Sequence, residues 1–73
     1  MEQGVFREHD VVTVTAPVPA EGLVPGDVGA VVHCYPDSDV YEVEVLDDSG
    51  RTKAVVALPG EKLLRLNLQS LVA

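Results

Sequence analysis

A second cysteine is missing. Cys34 is the only one in the 73 residues, so no internal disulfide can staple the fold, and a lone thiol suits a reducing compartment. Tryptophan is absent, and Phe6, Tyr35 and Tyr41 are the only aromatics. So few rings leave little for stacking on bases or for lining a proline-rich groove. Basic residues are scarce, five against twelve acids for a formal net charge of −7, which argues against a nucleic-acid backbone or an anionic membrane as partner. No apolar stretch approaches the ~20 residues of a membrane span. Met1 to Asp10 carries charges and no apolar run, so no signal peptide is expected there. These absences predict a cytoplasmic protein with no membrane association.

What is present is a single small domain. A chain of this length without a staple is typically stable by roughly 3–5 kcal/mol, and self-association would add buried area. The charge is unevenly spread. Asp37, Asp39, Glu42, Glu44, Asp47 and Asp48 fall together with no base among them, while Arg51, Lys53, Lys62 and Arg65 all follow. Two readings fit: a solvated acidic hairpin facing basic neighbouring strands, or an acidic docking face for a basic partner.

The pattern along the chain is that of short strands. Met1 to Glu8 has no period and reads as a flexible lead-in. Asp10 to Thr15 is β-branched and predicts a first strand, with Val12 and Val14 on one face. Ala16 to Asp27 holds Pro17, Pro19, Pro25, Gly22 and Gly26, so it is a long loop, with Leu23 and Val24 expected to pin it to the core. Pro25-Gly26 suits the centre of a type II turn.

Val28 to Tyr35 predicts a central strand, covered in part on both sides. Its alternation puts Val28, Ala30, Val32 and Cys34 on one face, and Gly29, Val31, His33 and Tyr35 on the other. Gly29 marks a bulge or a close backbone approach. Pro36 to Asp39 is a turn. Tyr41 to Val45 alternates cleanly, with Tyr41, Val43 and Val45 inward and Glu42 and Glu44 toward water. Asp47 to Gly50 closes a hairpin with Gly50 left-handed. A fourth strand follows over Arg51 to Leu58, with Thr52, Ala54, Val56 and Leu58 inward. Pro59-Gly60-Glu61 reads as a short helical turn and Lys62 to Leu66 as a fifth strand. Asn67 to Ala73 adds Leu68, Leu71 and Val72, more apolar side chain than a small barrel needs. The fold class is all-β: a small five-stranded antiparallel SH3-like barrel over 9–66, with a long loop between strands 1 and 2, a lead-in over 1–8 and an apolar tail over 67–73.

Pro-Gly-Asp-x-Gly-x-Val-Val over Pro25 to Val32 resembles the loop-to-strand entry of SH3-like barrels, including the KOW type of RNA- and ribosome-associated proteins. As an ordered set, several segments resemble the bacterial domain-of-unknown-function 4926 family: His9-Asp10-Val11-Val12, Pro19-x-Glu21-Gly22-Leu23, Gly26-Asp27-Val28-Gly29, Val31-Val32-His33, Tyr41-Glu42-Val43-Glu44 and Gly50-Arg51-Thr52. The similarity spans residues 9 to 66. It implies a small SH3-like barrel and no activity, and it hints at an antitoxin, immunity or accessory role beside a neighbouring gene product.

Catalytic and metal chemistry find little support in the residues. His33 and Cys34 are adjacent on a strand and point to opposite faces, so they form neither a shared metal site nor a nucleophile–base pair. Gly26 to Gly29 enters a strand instead of a helix, which excludes a phosphate loop. Glu42 and Glu44 lie on an open strand face, outside any cleft. The expectation is a non-enzymatic interaction module without a cofactor or metal, engaging an unidentified protein partner. The candidate contact residues are Asp37, Asp39, Glu42, Glu44, Leu66, Leu68, Leu71 and Val72. A homodimer through the tail from Leu63 to Val72 is one form this association can take. The alternative is a weak RNA- or ribosome-associated KOW-like barrel.

Overall fold

The computed structural model describes residues 6–66. The tail residues Leu68, Leu71 and Val72 lie outside them. Five strands form one antiparallel sheet: β1 (Val11–Val14), β2 (Val28–Cys34), β3 (Val40–Leu46), β4 (Thr52–Pro59) and β5 (Leu63–Arg65). The sheet order is β4-β3-β2-β1-β5. β1, β2, β3 and β4 are therefore joined as successive antiparallel neighbours, and β5 returns to pair with β1. The expected five-stranded antiparallel architecture is present, but the sheet is not closed into a barrel. β4 and β5 end it on opposite sides and do not pair with each other. Two 3-10 turns, Pro19–Glu21 and Gly60–Lys62, are the only helical pieces among the described residues. None of the described helices is long and apolar enough to cross a membrane.

One face of the sheet makes the core. Val12 and Val14 from β1, Val31 from β2, Tyr41, Val43 and Val45 from β3, and Val56 and Leu58 from β4 are all buried there with Leu23 and Leu63. Strand alternation explains the set, since every second side chain of β1, β3 and β4 points the same way. The inward trio of β3 is buried as its pattern predicts, with Glu42 and Glu44 between them half-buried.

Two bulges shift that alternation where the sequence shows no mark of them. In β2, Val31 pairs with Val43 but His33 pairs with Glu42, so Val32 is the extra residue. The bulge turns His33 outward and returns Cys34 to the core side opposite Tyr41. This corrects the grouping of Cys34 with Val28, Ala30 and Val32, and of His33 with Gly29 and Val31. In β4, Val45 pairs with Ala54 but Leu46 pairs with Thr52, leaving Lys53 as the extra residue. Thr52 accordingly lies outside, where its hydroxyl donates to the Glu44 carboxylate, and not inward as alternation alone predicts.

Gly29 is not the bulge. It is the close approach: a Cβ at this position would overlap the Glu44 carbonyl oxygen and sit 3.0 Å from Val43 Cγ1. Backbone cannot yield as a flexible side chain can. Gly29→Ala is expected to destabilise the fold by about 1–3 kcal/mol, lowering a thermal midpoint by roughly 4–8 °C per kcal/mol. An unchanged melting curve would contradict the crowding.

The long loop is built as expected at its end and differently in its middle. The Asp27 N–H donates to the Val24 carbonyl at 3.1 Å and Gly26 takes φ 99°, as a type II turn requires. Leu23 is buried, but Val24 is exposed, so only one of the two expected anchors holds the loop. Phe6, in the segment read as a lead-in, joins the core. Its ring meets Tyr41 edge-on with centroids 5.1 Å apart.

Candidate functional site: the outer face and the open edge

The face opposite the core is where the sheet meets solvent. Its cross-strand rows follow from register. Leu64, Thr13 and Val28 lie side by side on β5, β1 and β2. The next row runs from Val11 through Ala30 and Glu44 to Val55. Several of these apolar residues are exposed: Val28 by 40 %, Leu64 by 54 % and Val55 by 52 %, with Leu46 and Val32 close to them in degree. β2 was expected to be covered in part on both faces. Val28 and Val32 are instead open to solvent, with Ala30 between them half-buried. Exposed apolar side chains singly are ordinary; a large contiguous patch of them is not.

The acidic residues are dispersed rather than gathered. Asp37 and Asp39 sit exposed in the turn between β2 and β3, with Asp37 at φ 57°. Glu42 and Glu44 lie on the outer face of β3, and both carboxylates have partners. Glu42 accepts from the Tyr35 hydroxyl at 3.1 Å, and Glu44 accepts from Thr52. The nearby Glu42 carboxylate holds the Tyr35 phenol above its ordinary value. Leu66 is half-buried, its N–H donating to the Val11 carbonyl at 2.9 Å, so it extends the β5 ladder. Leu66, Glu44 and Glu42 therefore share the outer face, while Asp37 and Asp39 belong to the hairpin tip.

The bases do not answer the acidic block. The two ion pairs among the described residues join Lys53 to Asp27 at 3.0 Å and Arg65 to Asp10 at 3.1 Å. Both acids lie outside the run from Asp37 to Asp48. Arg65 also stacks over Phe6, with Cζ 5.6 Å from the ring centroid.

Asp27 ties the long loop to β4. It accepts from the Val24 N–H and from Lys53, both at 3.0 Å. The Val24 hydrogen bond first, and then the Lys53 contact, hold it below its usual 3.8. A carboxylate depressed in the folded state favours folding above its unfolded value, and that contribution disappears as pH falls through the folded value. A carboxyl-detected NMR titration is expected to place the Asp27 midpoint below 3.8, the ordinary value. In Lys53→Ala the midpoint should rise but stay depressed, because the Val24 bond remains. A midpoint at or above the ordinary value in the native chain would contradict the geometry.

An open depression of about 510 Å³ is lined by Asp27, Leu46, Asp47, Asp48, Ser49 and Lys53. Of its carboxylates, Asp27 is held by Val24 and Lys53, and Asp47 is committed to its own loop. Asp47 accepts from the Ser49 hydroxyl, the Ser49 N–H and the Arg51 N–H at 2.7–3.0 Å, which lowers its pKa. Among the described residues, no three His, Cys, Asp or Glu side chains are grouped to hold a metal ion. His33 and Cys34 stand apart. The His33 ring is edge-on to Tyr35 at 4.7 Å on the outside, while Cys34 Sγ–H donates to the Phe6 carbonyl at 3.6 Å on the core side.

The other open feature is the free side of β4. The Gly60 N–H donates to the Asp39 carbonyl at 2.8 Å. In an antiparallel pair, bonded and non-bonded opposite pairs alternate. From that anchor and the register, Leu58, Val56 and Ala54 bond to β3, and Val55 and Ala57 direct their N–H and C=O groups away from it. The Tyr35 N–H bonding the Val40 carbonyl on the β2 side agrees with this phase.

A family model for "Domain of unknown function (DUF4926)" matches residues 8–65. The chain belongs to the DUF4926 family. The match takes in all five strands, from the start of β1 to the end of β5, and leaves Phe6 outside it. No curated protein and no solved structure matches the chain. For this DUF4926 chain, the alternation that puts Ala54, Val56 and Leu58 inward leaves Val55 and Ala57 on the outer face of β4. Their significance became visible only with the strand order, which leaves β4 with one neighbour.

Proposed function

We propose that this protein is a non-enzymatic protein-interaction module that presents the outer face of its sheet and its open strand edge to a protein partner. The observation that carries the reading is the set of exposed apolar side chains on the outer face, Leu64 and Val28 in one cross-strand row and Val55 in the next. Burying such side chains stabilises a complex by roughly 25 cal/mol per Å² of apolar surface removed from water. The dispersed carboxylates Asp37, Asp39, Glu42 and Glu44 fit a polar rim around that set. An antitoxin, immunity or accessory partner of a neighbouring gene product is the specific form proposed.

An RNA partner is less well served. Lys53 and Arg65 are held by Asp27 and Asp10, and the net charge of −7 opposes a phosphate backbone. Co-expression with the product of the adjoining gene tests the proposal. A complex is expected to co-purify and to be lost in Leu64→Lys and Val28→Lys variants that still fold. Absence of a complex, or one unaffected by both substitutions, would overturn the reading.

A further inference from the structure

We infer that β4 is a self-complementary edge, through which two copies of this chain pair antiparallel to form one continuous ten-stranded sheet. The inference rests on the reading of the protein as an interaction module and names the surface and the partner.

The two edges of the sheet differ in kind. β5 is three residues long and ends on Arg65. β4 is eight residues long, pairs only with β3, and from Ala54 to Leu58 carries no charge, no proline and no glycine. Long uncharged edges are what soluble proteins ordinarily avoid or cover, because unpaired N–H and C=O groups template another strand. The devices that blunt an edge do occur in β4, but only at its ends: the Lys53 bulge at one and Pro59 at the other. Between them, Val55 and Ala57 hold their backbone groups outward.

The same interval fits itself. In an antiparallel pairing centred on Val56, Val55 of one copy faces Ala57 of the second, and the reverse. Each of these is a bonded pair, so the outward groups of both copies are satisfied by four N–H···O=C bonds. Val56 faces Val56 of the second copy in the non-bonded position, where side chains approach closely, and continues the core side of both sheets. On the outer face, Val55 and Ala57 form apolar cross-strand pairs. Lys53 falls opposite Pro59 of the second copy, and the two Lys53 side chains are about 20 Å apart along the strands, so the strand's one charge is not set against itself. A partner with acidic or basic side chains is not called for, since β4 offers no charge between Lys53 and Pro59 to meet them. This favours a second copy over a charged peptide. Two chains of net charge −7 repel at long range, so added salt should strengthen the pairing.

The experiment is light scattering and sedimentation equilibrium on the intact chain up to about 1 mM, since an edge-pairing interface is small. A concentration-dependent dimer is expected, strengthened by salt. Ala57→Pro removes one outward N–H from each copy and no bond to β3, and should weaken the dimer about tenfold or more. Val55→Lys, an independent variant that leaves the backbone intact, should weaken it too, while Leu64→Lys on the far side of the sheet should not. Circular dichroism checks that each variant folds. A chain that stays monomeric at every concentration overturns the inference. So does a dimer that survives Val55→Lys and dissolves in Leu64→Lys. A monomer that nonetheless forms the complex with an adjoining gene product would leave the interaction-module reading standing and remove only this one.

Discussion

Phe6→Ala is expected to leave the chain largely unfolded at room temperature. Removing a buried phenylalanine costs about 3–5 kcal/mol, and a domain of this size without a staple has roughly that much stability in total. The ring is 8 % exposed and lies edge-on to Tyr41 at an interplanar angle of 89°. The same residue's backbone is also engaged. Its N–H meets the Tyr41 hydroxyl at 3.4 Å, and its carbonyl accepts from Cys34. Arg65 covers the outer side of the ring, so the loss exposes both core and ion-pair surroundings. Urea denaturation followed by tyrosine fluorescence measures the effect. A loss below about 1 kcal/mol, the range of surface substitutions, would mean that the segment before β1 does not belong to the fold.

Leu23→Ala is expected to cost about 2–5 kcal/mol, even though the residue lies in an irregular loop. Leu23 is 1 % exposed and among the largest fully buried side chains. Its backbone closes a small bridge with Val18, the N–H of each donating to the carbonyl of the other at 3.0–3.1 Å. Inside that bridge the Pro19–Glu21 turn is stopped by Gly22 in a left-handed conformation. The loop is thus an ordered segment anchored in the core by Leu23, with Val18 packed in part against it. The neighbouring Val24 supplies the contrast. At 55 % exposure, Val24→Ala should change stability by no more than about 0.5 kcal/mol. Equal losses for the two variants would contradict the burial pattern.

These two residues show where the sequence is readable and where it is not. β3 was legible because one face is buried and the other wet, so alternation of Tyr41, Val43 and Val45 with Glu42 and Glu44 has a physical cause in every residue. Turns were legible where backbone geometry demands a residue type: Gly26 and Gly50 both take positive φ, 99° and 85°. The bulges were not. An extra residue in a strand needs no special side chain, and both Val32 and Lys53 are ordinary strand residues. Every facing assignment beyond a bulge therefore reversed, as at Cys34 and Thr52. Phe6 was illegible for a different reason, since a single aromatic in a stretch without period carries no pattern. Among the candidate contact residues, the charged ones were easy to name, yet Glu42 and Glu44 prove to be partly occupied by Tyr35 and Thr52. The apolar outer rows depend on strand order, which no local pattern encodes.

The free side of β4 is the unpaired edge that a second copy fills. Amide-resolved hydrogen exchange on the intact chain at two concentrations reads it directly. In dilute solution, Ala54, Val56 and Leu58 should be protected by β3 while Val55 and Ala57 exchange freely. At high concentration, Val55 and Ala57 should become protected as well, with the other three amides already slow. Val55 and Ala57 amides that exchange freely at both concentrations, or that are already protected in dilute solution, would contradict the account.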